Sequence, residues 1–113
     1  MPLRSAISGY RSMWLIVAFD LPVGTRTERR HATQFRKNLL DEGFFMKQWS
    51  IYLRYFISRA QAEAAADRIG NKVPQMGSVS VLFLTDRQYG MTRNFFGKAP
   101  LEAEKKPDQL ALF

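Results

Sequence analysis

The stretch Trp14-Leu15-Ile16-Val17-Ala18-Phe19-Asp20-Leu21-Pro22 decides the fold. Its six apolar residues, rich in β-formers, read as a strand buried on both faces. The run ends abruptly in one carboxylate, and Pro22 cannot continue a central ladder. An acid at the end of a buried strand is expected at a sheet edge, half desolvated, where it serves as a metal ligand or a general base. The same residue type in the same place also caps the following turn. Both readings of Asp20 stand at this point.

A helix follows directly. Thr25 and Glu28 have capping-box spacing. Ala32, Phe35 and Leu39 recur at helical spacing, with Leu40 beside them, and form the buried stripe. Gly43 is a natural stop. Arg26, Arg30, Thr33 and Lys37 share a solvated face, flanked by Arg29 and Arg36. The helix therefore presents its positive N-terminal end and several guanidiniums close to Asp20, where backbone amides bind phosphate. The plain alternative is a solvated helix face.

Phe44 to Ile57 is rich in aromatic and β-branched residues and reads as strand. It is too long for one ordinary strand. The expected break is at Gln48-Trp49-Ser50, giving two short strands and a tight reversal. Arg54 inside this run must face solvent, a partner or a ligand. Ser58 caps a second, Ala-rich helix from Arg59 to about Ile69, ended by Gly70 and Asn71, with Pro74 beyond. Ser78 to Thr85 is another strand, and Asp86 follows it. Asp20 and Asp86 become neighbours if their strands pair so as to bring those ends together; otherwise Asp86 caps a turn.

The order strand, helix, strand, strand, helix, strand is the α+β, ferredoxin-like βαββαβ pattern: an antiparallel sheet with two helices on one face. The other face carries large apolar residues, so a homodimer through that sheet face is expected. Residues 1–13 read as a flexible N-terminal arm and 14–97 as the ferredoxin-like domain. Residues 98–113 read as a polar tail closing with the apolar tip Leu110-Ala111-Leu112-Phe113, a segment suited to docking as an added strand.

Composition narrows the function. A chain of 113 residues makes one domain with a modest core, and 46% apolar residues exclude a disordered chain. No cysteine is present, so there is no disulfide framework or thiolate metal site. The single His31 argues against a zinc site or a His-based triad, and is either a proton-transfer group or plain polar surface. No run approaches the roughly 18 apolar residues of a spanning helix, and no signal peptide is apparent. The expectation is a soluble, cytoplasmic protein that does not enter a membrane. The net charge of +7, from 11 arginines and 6 lysines against 10 acids, points to a polyanionic partner. Arg26, Arg29, Arg30, Arg36 and Lys37 fall within 12 residues directly after Asp20.

Five segments together resemble the CRISPR-associated protein two family: Phe19-Asp20-Leu21-Pro22 at the strand end, the basic capped helix, Gln48-Trp49-Ser50-Ile51-Tyr52, and the exits Leu84-Thr85-Asp86-Arg87-Gln88-Tyr89 and Phe95-Phe96-Gly97. The likeness covers about Trp14 to Gly97, and the last exit with the Leu110–Phe113 tip looks most like the type II branch. The resemblance implies a prokaryotic homodimer of ferredoxin-like subunits that partners the CRISPR integrase, CRISPR-associated protein one, in spacer acquisition. In that complex the dimer is a scaffold between two integrase dimers and contacts the backbone of double-stranded protospacer DNA. Asp20 matches the family's acidic position, where two subunits' carboxylates face each other and hold Mg²⁺. That would make Asp20 both the metal ligand and the catalytic residue of the metal-dependent ribonuclease or deoxyribonuclease activity described for some members. The nucleic-acid-binding candidates are Arg26, Arg29, Arg30, Arg54 and Arg87. The family's C-terminal segment adds a strand to the partner subunit or touches the integrase; here residues 91–97 and the tip would do so. Scaffold, autonomous Mg²⁺-dependent nuclease, and a ferredoxin-like regulatory or RNA-binding domain are the three readings. The third is weakened by the absence of the aromatic ribonucleoprotein motif.

Overall fold

Strand β1, Met13–Asp20, lies inside a four-stranded antiparallel sheet in the computed structural model, which describes residues 12–102 and residue 104. β2 (Phe45–Gln48), β3 (Ile51–Phe56) and β4 (Ser78–Thr85) complete it in the order β2-β3-β1-β4. Helices α1 (Arg26–Asp41) and α2 (Arg59–Gly70) connect the strands as the ferredoxin-like pattern requires. A short helix α3 (Asp86–Tyr89) follows β4, and β5 (Asn94–Phe96) pairs with β6 (Ala99–Leu101) as a separate hairpin.

The side-chain alternation of β1 builds both layers. Met13, Leu15, Val17 and Phe19 are buried against Phe35 and Leu39 of α1 and Ala62, Ala65 and Ile69 of α2. The alanines let α2 approach the sheet closely. Full burial of Phe35 or Leu39 contributes about 1.5–3 kcal/mol each. Leu40, expected beside the stripe, is exposed instead: helical spacing rotates it off the face that Leu39 occupies.

The opposite face is not bare. Trp14, from the even-numbered side of β1, is buried with Leu53 and Tyr89, and Ile16, Ile51, Tyr55 and Leu84 pack around them. Tyr89 of α3 stacks 4.5 Å from the Trp14 ring. The chain thus covers one end of the face expected to be open, while Leu82 and Phe45 on it stay exposed.

The hairpin lies in the stretch read as domain end and polar tail. Gly97, at φ 62°, takes the first central position of its two-residue turn, as a type II′ turn demands. Pro100 is tolerated because β6 is an edge. The arm residues 1–11 and the Leu110–Phe113 tip lie outside the described residues.

Candidate nucleic-acid interface

Capping fixes where α1 begins and hence where its arginines stand. Thr25 Oγ1 accepts the Glu28 N–H at 3.1 Å, and Glu28 Oε1 accepts the Thr25 N–H at 2.9 Å. Arg26 is the first helical residue, and Arg26, Arg29 and Arg30 are all exposed. Arg29 Nη1 donates to the Val23 carbonyl at 3.2 Å, which ties it to the loop. Among the described residues, the ion pairs are Lys47–Glu104, Arg59–Glu63 and Arg68–Glu42, and neither Arg26 nor Arg30 has an acidic partner among them. A cation in the first turn opposes the helix dipole, at a cost of about 0.3–1 kcal/mol.

Asp20 ends β1 opposite Ser78 and is exposed, not half desolvated. The reason is the ladder: β3 begins at Ile51, opposite Ala18, so Asp20 runs past it and is flanked only by Ser78, the first residue of edge strand β4. Gly77 closes the loop against it. At φ 103°, a Cβ there would stand 2.8 Å from the Asp20 carbonyl oxygen and 2.8 Å from the Leu21 side chain. Asp86 is not Asp20's neighbour. The antiparallel register puts Met13 opposite Thr85, so the two acids stand at opposite ends of the sheet, roughly 25 Å apart. Asp86 accepts a 2.9 Å hydrogen bond from Trp14 Nε1. Arg87 is exposed on α3, at that same far end, and does not join the α1 cluster.

Arg54 pairs in register with Leu15, on the helix side of the sheet. It is half-buried, donates to the Glu42 carbonyl and lies 4.4 Å over the Phe56 ring. Its guanidinium keeps other donors, but its place is structural first. Beside it, Arg68 grips Glu42 through both carboxylate oxygens at 2.9–3.1 Å. These hydrogen bonds, reinforced by the nearby charges of Arg68, Lys72 and Arg54, hold Glu42 below the usual carboxylate range against the opposing effect of burial. His31 is exposed and lines a cavity of about 150 Å³ with Leu21, Pro22, Glu28, Pro74 and Met76.

Two features escaped the sequence. Arg36 Nε donates to the Trp49 carbonyl at 3.3 Å, and its guanidinium lies 4.0 Å from the Trp49 ring centroid and 5.3 Å from that of Phe19. The β5–β6 hairpin is fastened by side chains: Lys47 Nζ donates to Asn94 Oδ1 and Glu104 Oε2, both at 2.6 Å, and the Tyr89 hydroxyl donates to Glu104. Burial pushes the Glu104 carboxyl up, but Lys47 and Tyr89 outweigh it and leave it lowered. Burial and the Glu104 hydrogen bond both push the Tyr89 hydroxyl up.

The family model for CRISPR associated protein Cas2 matches residues 13–92. The chain belongs to the Cas2 family. A protein of Flavobacterium psychrophilum named CRISPR-associated endoribonuclease Cas2 is 50% identical over 107 residues, covering 95% of this chain and 93% of the relative. A Paracidovorax avenae protein of the same name is 45% identical over 107 residues, covering 95% and 99%. A crystal structure of cas2 superposes with a TM-score of 0.54 at 22% identity, covering 83% of this chain and 99% of that one; at that identity the likeness shows the fold. Among the described residues, no group of three or more His, Asp or Glu side chains gathers to hold a metal ion, and no helix is long and apolar enough to cross a membrane.

Proposed function

We propose that this Cas2-family chain is the nucleic-acid-binding subunit of the CRISPR spacer-acquisition complex, a homodimeric scaffold that bridges integrase dimers and holds protospacer DNA by its backbone. The observation that carries the reading is the pair Arg26 and Arg30. They are exposed, unpaired among the described residues, and one turn apart on a helix whose dipole disfavours the first of them. A cation kept in an unfavourable place with a second one turn on, in a chain of net charge +7, suits phosphate contacts without sequence readout. The dimer is supported by the apolar residues left on and beside the open face, notably Leu82, Phe45, Phe95 and Phe96.

The name endoribonuclease carried by the relatives favours a second reading, a Mg²⁺-dependent nuclease using Asp20. Mg²⁺ takes about six oxygen ligands. Asp20 offers one exposed carboxylate, and no group of three such side chains gathers among the described residues. One chain does not fit the ion, and a site needs the second copy's Asp20 and several waters. Two such carboxylates brought together without a metal would repel.

Asp20→Asn separates the readings, because the amide keeps the size of the side chain and removes the charge a metal ion needs. In the scaffold reading the variant keeps the dimer mass in light scattering, assembles with the integrase and supports integration at the wild-type level. Integration lost from a fully assembled variant complex refutes the scaffold reading. Loss of Mg²⁺-dependent cleavage together with activity in cells is the signature of the nuclease.

A further inference from the structure

Trp49 stands at the β2–β3 turn with 66% of its surface in water. An indole left that bare is unusual for a residue so large and apolar, and the turn geometry does not need it. Yet its orientation is set. Arg36 holds its backbone carbonyl at 3.3 Å and lies 4.0 Å from the ring centroid, on the side facing the domain. Arg36 is in turn packed toward Phe19 at 5.3 Å. Next door, the Ser50 carbonyl accepts the Phe19 N–H at 3.0 Å, so the ring belongs to the end of the sheet that carries Asp20.

We propose that Trp49 is a stacking platform for an unpaired base of a bound nucleic acid, held in place from beneath by Arg36. This rests on the nucleic-acid reading above and adds a residue and a ligand class to it. Three properties support the assignment. The ring is fixed before binding, so stacking costs little ordering of the side chain. A base offers a flat π-face whatever its identity, which matches a site with no hydrogen-bonding readout. The guanidinium beneath the ring brings positive charge to the surface of a chain already at +7. That favours a polyanion at this surface. Bases in a duplex interior are already stacked on each other, so the available ligand is a single-stranded overhang or a frayed end.

The test uses the full chain as the wild type, Trp49→Ala and Trp49→Phe, with a blunt duplex and the same duplex carrying short single-stranded overhangs. Anisotropy gives affinity, and intrinsic fluorescence reports the rings directly. The chain has two tryptophans, and Trp14 is 1% exposed. The wild type is expected to prefer the overhang duplex by about tenfold, the scale of one stacked base. Trp49→Ala should lose that preference while binding blunt duplex like the wild type, and Trp49→Phe should keep most of it. Emission should be quenched by the overhang duplex in the wild type and not in Trp49→Phe. Equal affinity of the wild type for both duplexes overturns the proposal and leaves the nucleic-acid reading intact. So does an unquenched emission, or a Trp49→Ala variant whose mass in light scattering differs from the wild type, which makes Trp49 an interface residue. If no form binds blunt duplex, the nucleic-acid reading itself falls and takes this proposal with it.

Discussion

Replacing Arg26 and Arg30 together by Gln removes two exposed charges from one face of α1 and touches nothing that holds the helix. The capping pair Thr25–Glu28 remains, and so does Arg29, whose Nη1 holds the Val23 carbonyl. Gln is nearly as good a helix former as Arg, and losing a cation at the first helical position relieves an unfavourable dipole interaction. The double variant should therefore unfold at the wild-type temperature or slightly above it, so weaker binding cannot be blamed on unfolding. Each guanidinium that neutralises a duplex phosphate steepens the plot of log affinity against log salt by about 0.9, so the double variant should flatten it by about 1.8 for each chain engaged. Over about 50 to 200 mM salt, that is an affinity about 12-fold less sensitive to salt per chain. The assay is anisotropy of a labelled blunt duplex at several salt concentrations. A parallel pair of lines, shifted but equally steep, refutes the assignment of these two residues to phosphates. The DNA surface then moves to other exposed arginines, with Arg87 and Arg93 the next to test.

Two further outcomes test the scaffold of the site. Gly77→Ala should destabilise the fold by about 2 kcal/mol or more, because φ 103° strains any side chain and the Asp20 carbonyl oxygen stands 2.8 Å from the new Cβ; thermal unfolding checks it, and a midpoint lowered by less than a few degrees contradicts the geometry. Glu42 titrates below its ordinary value of 4.5 in the folded chain, so the stability it contributes is present above about pH 4.5 and is lost as the pH falls through the folded value. Glu42→Gln should flatten that acid limb of a denaturation series, and an unchanged limb shows that the Arg68 grip contributes nothing measurable.

Much of this architecture could be read from local pattern. The Thr25–Glu28 box, the Ala32-Phe35-Leu39 stripe, the reversal at Trp49-Ser50 and the Ser58 cap are all short-range signals, and each appears in the structure as expected. The hairpin was missed because Pro100 and the polar residues around it read as tail. The usable signal was Gly97 between Asn94-Phe95-Phe96 and Ala99-Pro100-Leu101, the glycine-first turn of a type II′ hairpin. Arg54 could not be assigned to a face, because its strand is apolar on both sides and parity has no polar marker there. The Arg36–Trp49 stack joins a helix to a turn 13 residues on, and no periodicity reports such a contact.

The two strand-end acids show what local sequence leaves undetermined. Asp20 and Asp86 follow similar apolar runs, and each lies near a threonine-capped helix start, Asp20 ahead of the Thr25 cap and Asp86 directly after the Thr85 cap. What separates them is the residue that the sheet places within reach. Trp14 pairs with Leu84, so its indole N–H emerges where Asp86 begins α3, and the carboxylate accepts it at 2.9 Å. That bond ties α3 to the central strand and brings Tyr89 onto the Trp14 ring. Asp86 is therefore a fastening for the far end of the sheet. Asp20 meets no such donor. Its neighbour across the ladder is Ser78, the first residue of an edge strand, and its carboxylate accepts no hydrogen bond among the described residues. What is close to it is backbone, with Gly77 pressed against its own carbonyl. An acid already engaged by a donor within the fold serves to hold that fold together. One whose lone pairs face water is free to meet a metal, a second carboxylate or a protein donor, and in this fold the register of β1 against β4 decides which acid is which.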